Sequence, residues 1–169
     1  MDLFVEKIVE RKKNIFDYML IFSIFFFSLF LASLILLVIG IDVISAGLLI
    51  VLAYLAYYLI SLRKVEYEYA ITNGELDIDK IVAQRRRKRV FSAKCRDFDV
   101  FGKLDSEKYN DEVRETPQKI KAVTSMNSED VYFFTANYKG SKVLVFFEPD
   151  ERMLKSLKPY ISKKMNSFS

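Results

Sequence analysis

One stretch limits what this chain can become: from Tyr18 to Leu62 nearly every residue is apolar, and the only charge is Asp42 near the middle. On either side of Asp42 lie 24 and 20 uncharged residues. Each run is at least as long as the roughly 20 residues a helix needs to cross ~30 Å of hydrocarbon. The pattern predicts two membrane-spanning helices, about Phe16 to Ile39 and Val43 to Leu62, with Gly40, Ile41 and Asp42 between them. So short a connection forces an antiparallel hairpin. A cleavable signal peptide does not fit, because its apolar region runs to only about 7–15 residues.

The flanking charges predict how such a hairpin is threaded. Lys7, Arg11, Lys12 and Lys13 stand before it, Arg63 and Lys64 after it, and the turn has no basic residue. The positive-inside bias then puts both termini in the cytoplasm, on a multi-pass protein of the cell (inner or plasma) membrane. Tyr54, Tyr57 and Tyr58 suit the aromatic belt at the same interface. A transport pathway needs polar or ionisable groups inside the bundle, and the interior of the spans, away from their ends, offers only Ser23, Ser28, Ser33 and Ser45, so the hairpin reads as an anchor. In the lead, residues 1–14, Phe4, Val5, Ile8 and Val9 fall at roughly helical spacing opposite the charges. This predicts a basic amphipathic helix lying at the interface; an extension of the first span fits the same residues.

Residues 63–169 have room for one small domain and hold 22 Lys/Arg against 17 Asp/Glu, whereas the rest of the chain has a slight acidic excess. The period changes after Arg63. Val65, Tyr67, Tyr69 and Ile71 alternate with Glu66, Glu68, Ala70 and Thr72, as in a strand with one buried face. Asn73-Gly74 is a strong tight-turn signal, and Leu76 and Ile78 continue the alternation in a second strand. A third strand fits 89–94 and a fourth fits 97–101, predicting a four-stranded meander. Residues 102–119 are polar, with only Leu104, Tyr109 and Val113 to bury, and read as a long exposed loop. A short strand at 120–125 is followed by a hairpin, 131–139 and 142–148, rich in aromatic and β-branched residues and buried in part on both faces. Asp150 then caps a helix whose Met153, Leu154, Leu157, Ile161 and Met165 form one apolar stripe, kinked or divided at Pro159.

About seven antiparallel strands closed by one C-terminal helix resemble the pleckstrin-homology-like fold, which occurs in bacterial membrane proteins after a two-helix hairpin. The basic lead, the hairpin, VEYEYAITNGELDIDKIVAQRRRKR and the closing FFEPDERMLKSLKPYI are similar to a family of small two-helix membrane proteins from clostridia-like bacteria. The resemblance spans nearly the whole chain and is most specific over residues 65–102. It implies a pleckstrin-homology-like cytoplasmic domain and carries over no catalytic residue. A small β-sandwich or split barrel fits the same pattern of strands.

The sharpest candidate site is Arg85, Arg86, Arg87, Lys88 and Arg89, continued by Lys94 and Arg96. Five consecutive cations at a turn repel one another unless water or an anionic partner intervenes. Beside a membrane span that partner is the anionic leaflet, at about 1 kcal/mol per basic residue. The alternative is a solvated turn partly neutralised by Glu75, Asp77 and Asp79. Nucleic acid would also meet such charges, but Phe91, Phe98 and Phe101 alternate as core residues and leave no stacking platform. A second class of partner is another protein, docked through an edge strand, the 102–119 loop or the hairpin. Enzymatic chemistry finds little here: there is no histidine, Cys95 is the only cysteine, and no phosphate loop or metal motif occurs. No cofactor and no metal are expected.

Overall fold

The computed structural model describes residues 4–161. These divide into two compact units, Lys12–Val65 and a second made of the residues up to Arg11 together with those from Glu66 onward.

The first unit is the helical hairpin, α1 (Ile15–Ile39) and α2 (Val43–Ser61). Both helices are long and apolar enough to cross a membrane. Each begins with a reciprocal cap: the Asn14 side chain accepts from the Asp17 amide while Asp17 accepts from that of Asn14, and Asp42 and Ser45 repeat the arrangement. Ser28, Ser33 and Ser61 donate to carbonyls of their own helices. Their hydroxyls are therefore satisfied without a partner across the pair.

The second unit opens with a departure from expectation. Residues Phe4–Glu10 form a strand, β1, not an amphipathic helix, and pair antiparallel with β2 (Val65–Thr72), Glu10 opposite Glu66 and Phe4 opposite Thr72. The lead is thus part of the β domain and not a segment of its own. The physical reason is that an isolated helix this short is marginal, whereas as a strand every second residue turns inward. Val9 is buried and Val5 and Lys7 half-buried, while Phe4, Glu6, Ile8 and Glu10 alternate with them on the outside. Lys7 does not lie free at the interface; its ammonium donates to the Glu148 carbonyl at 2.8 Å.

β3 (Glu75–Val82) and β4 (Arg86–Lys94) complete the first sheet, in the order β1-β2-β3-β4. The Asn73-Gly74 turn joins β2 to β3 with positive φ at both residues. After a 3-10 turn, Cys95–Asp97, the chain leaves this sheet. β5 (Phe98–Lys103), expected to extend the meander, instead begins a second sheet with β6 (Gln118–Ala122), β7 (Tyr132–Tyr138) and β8 (Ser141–Phe147), ordered β5-β7-β8-β6. There are eight strands among the described residues, and the last pairing corrects the all-antiparallel expectation: β6 runs parallel to β8. A long connection through residues 103–117 makes that possible, since parallel neighbours need a crossover.

Aromatic rings fill the space between the sheets. Phe91 meets Phe134 at 5.1 Å and Tyr69 meets Phe147 at 5.8 Å, while Phe98 stacks on Phe134 at 4.1 Å. On the other face of the second sheet, Phe133, Leu144 and Phe146 pack with Val113, Val123 and Val131, and Leu104, Tyr109 and Met126 join them. The segment expected to be an exposed loop is therefore a cover, with one short helix, α3 (Asp111–Arg114), seating Val113. Its three apolar residues are the ones that anchor it.

α4 (Glu151–Leu157) starts where Asp150 accepts from the Met153 amide at 2.8 Å, and buries Met153 and Leu157. It ends before Pro159, so the proline terminates the helix; Met165 lies outside the described residues. The following turn lays Tyr160 over Gly74, where a Cβ would overlap the ring. Gly74 also holds φ +82, a conformation that costs an L-residue about 1–2 kcal/mol. Gly74→Ala is therefore expected to destabilise the domain by more than about 1 kcal/mol in denaturant unfolding of the full chain in detergent. Adding Tyr160→Ala should recover the steric part of that loss and leave the backbone part.

Candidate functional site

The basic run is not one patch. Arg86 to Arg89 lie within β4 and not in a turn, opposite β3 with Lys80 facing Lys88, Ile81 facing Arg87 and Val82 facing Arg86. A register shift between Ile78 and Asp79 marks a bulge, which brings Asp79 opposite Arg89. The turn itself is Ala83 and Gln84, with Arg85 following; the Arg85 amide donates to Val82 O at 3.1 Å. Lys94 ends β4, roughly 27 Å from Arg86 at ~3.4 Å per residue, and Arg96 lies in the 3-10 turn beyond.

Alternation along β4 then divides the cations by partner. Arg87 and Arg89 turn to the outer face of the first sheet. There Arg87 pairs with Glu68, and Arg89 pairs with Asp79 and, at 2.7 Å, with Asp77. Hydrogen bonding to Asp79 holds the Arg89 guanidinium above its ordinary pKa. Glu68 is buried, which pushes its carboxyl above the usual range; Arg87 opposes the shift, while Glu6 and Asp79 add to it. Asp77 and Asp79 neutralise the run as the sequence indicates, but Glu75 does not: its carboxylate accepts from Ser92 at 3.2 Å. Glu68, two strands away in β2, is the partner that reading missed. Its signal was present in the alternation, which puts Glu66 and Glu68 on the outer face.

Arg85, Arg86 and Lys88 stay exposed at the tip of the hairpin. Ala83 and Gln84 both hold left-handed backbone, φ 54 and 55, where residues other than glycine are uncommon. Gln84 is tied down by its amide, which donates to Glu66 at 3.2 Å. Such strain is retained where the surroundings hold the turn in one shape.

The other candidate residues fall elsewhere. Lys7 is in β1, Arg11 follows it, Lys12 and Lys13 lie in the link to α1, and Arg63 and Lys64 in the link from α2 to β2. Cys95 is buried, and burial pushes its thiol up to about 12. Among the described residues no His, Cys, Asp or Glu side chains are grouped as a metal site requires. A buried polar network around Tyr69 is architectural. Tyr69 donates to Ala122 O and accepts from the Glu148 amide at 3.3 Å, and Glu148 accepts from Thr124 at 2.5 Å. Burial raises the Tyr69 pKa, so its hydroxyl keeps the proton that this bridge needs.

Two small sheets around an aromatic core, closed by a C-terminal helix and with two long apolar helices between the first strand and the rest, define a β-rich domain of the pleckstrin-homology-like class. The chain belongs to the bacterial PH-like domain family (DUF6106), whose model matches residues 1–167. No curated protein and no solved structure matches it.

Two outcomes follow from this geometry. Replacing Ala83 by Asn and Gln84 by Gly should relieve the strained turn and raise stability by up to about 1 kcal/mol, read by denaturant unfolding. Cys95 should resist alkylation at pH 8 in the folded protein and react once the protein is unfolded. Because the folded thiol holds its proton to about 12 against an ordinary 9.0, the unfolded chain ionises first. Stability is full below pH 9 and declines as pH rises toward 12. Cys95→Ala should remove that part of the decline in unfolding midpoints measured across this range.

Proposed function

We propose that the chain is a membrane-anchored, non-catalytic binding or scaffolding module whose β3-β4 hairpin tip orients the domain on anionic lipid. Its two long apolar helices support the anchor, and family membership supports a binding module. The positive charges of Lys7, Arg11, Lys12, Lys13, Arg63 and Lys64, against none in the turn at Gly40–Asp42, support a cytoplasmic location for both termini. The observation that carries the lipid reading is the division within β4. Arg87 and Arg89 are occupied by acidic partners, while Arg85 and Lys88 face solvent at a turn held in a strained shape. Headgroup attraction then rests on those two, at about 1 kcal/mol per basic residue, and is screened by salt.

A protein-docking role is the second reading. Phe4 and Ile8 are 62% and 54% exposed on the outer face of the edge strand β1. An unpaired strand edge with apolar side chains beside it is a surface that another chain can extend. The 102–119 segment no longer supports this role, because its apolar residues are spent on the second sheet.

Hydrogen exchange of the full chain in nanodiscs separates the readings. Amides of residues 83–90 are expected to exchange more slowly in anionic than in neutral discs, and high salt or the Arg85→Gln/Lys88→Gln pair should abolish the difference. Equal exchange in the two lipids would remove the lipid reading and turn attention to β1.

A further inference from the structure

At the far end of β4 from the basic tip, the second pair of cations stands at the mouth of a separate cavity. The Cys95 amide donates to Gly74 O at 2.8 Å, locking the end of β4 against the β2-β3 turn. Around this junction Thr72, Asn73, Gly74, Glu75, Lys94, Arg96 and Tyr160 line an open cleft of about 430 Å³, within the size range of small-molecule sites. Three separated parts of the chain build it: the Asn73-Gly74 turn, the β4 end with its 3-10 turn, and the residues after α4.

The chemistry of the lining is that of a phosphate site with a hydroxyl acceptor. Lys94 has no ion-pair partner among the described residues. Arg96 has only Asp97 at 3.8 Å, and both side chains of that pair are more than half exposed, so the pair is weak and the guanidinium fork remains available to a phosphate. Glu75 faces Lys94 across the ladder and, among the described residues, closes no ion pair, its carboxylate accepting from Ser92. One acidic group beside two cations disfavours a bare polyanion and favours a ligand that carries hydroxyls next to its phosphate. Tyr160, seated on Gly74 and 37% exposed, walls one side.

We propose that this cavity binds the phosphomonoester of a small hydroxylated molecule, with Lys94 and Arg96 on the phosphate and Glu75 on a hydroxyl. The site is separate from the hairpin tip and does not depend on it.

The test uses the full chain in neutral nanodiscs, titrated with glycerol 3-phosphate, with glycerol as the uncharged control, and followed by calorimetry and by hydrogen exchange at residues 72–75 and 94–96. Binding of the ester but not of glycerol is expected, weakened at least tenfold by Lys94→Gln/Arg96→Gln and changed less than twofold by Arg85→Gln/Lys88→Gln. Glu75→Gln should weaken glycerol 3-phosphate while leaving inorganic phosphate unchanged or strengthened, because the repelling carboxylate is gone. A parallel arm with discs containing phosphatidic acid distinguishes a headgroup from a soluble ester: protection of 72–75 and 94–96 in those discs alone assigns the phosphate to lipid. Unfolding midpoints equal to that of the parent show that the exposed substitutions leave the fold intact. No binding in either arm, or binding unchanged by Lys94→Gln/Arg96→Gln, overturns the proposal. Loss of lipid response only in the Arg85→Gln/Lys88→Gln protein would leave the tip reading standing and this one refuted.

Discussion

The ladder between β1 and β2 is the constraint on which the rest depends. Glu10 lies opposite Glu66, so everything between them must leave and return at neighbouring strands about 5 Å apart. Two helices joined by a three-residue turn, with short links at 11–14 and 62–64, fill that interval of the chain. The same pairing makes the N-terminal strand a wall of the β domain. Val9 is buried, Lys7 donates to the Glu148 carbonyl, and Glu148 in turn is held by Tyr69 and Thr124. A fragment beginning at residue 65 would lack this strand and leave the β2 edge and the Glu148 carbonyl without their partners.

The second sheet shows how a polar segment can be structural. Its central hairpin alternates Phe134, Val145 and Phe147 toward the first sheet with Phe133, Leu144 and Phe146 away from it. A sheet apolar on both faces needs a second cover, and residues 103–126 supply it with few apolar side chains, because each one lands in a pocket of aromatic rings. The parallel pairing of β6 with β8 follows from that path, since the cover must cross the sheet before adding its last strand.

Charge follows strand parity more than local sequence. Five adjacent cations look alike in a linear reading, but alternation sends Arg87 and Arg89 to the outer face, where Glu68, Asp77 and Asp79 wait, and leaves Arg85 and Lys88 to solvent. Lys94 and Arg96, grouped with them by proximity in sequence, are carried to the other end of the strand and meet residues from a turn and from beyond α4.

Patterns within one segment were legible in the sequence. The two long helices and their short turn, the Asn73-Gly74 hairpin, the alternation of Val65 to Ile71, the β7-β8 hairpin, the Asp150 cap and the helix-limiting Pro159 all rest on local periodicity, propensity or sterics, which a linear chain displays directly. What only the tertiary structure decided involves partners distant along the chain. FVEKIVE carries both a helical and an alternating pattern, and only the open edge of β2 selects the strand. The destination of β5, the parallel β6, the pairing of Arg87 with Glu68 and the seating of Tyr160 on Gly74 have the same origin. Hydrogen-bond ladders, buried rings and ion pairs join residues that sequence separation does not order, so the competition among them is resolved only when the two sheets close on one core.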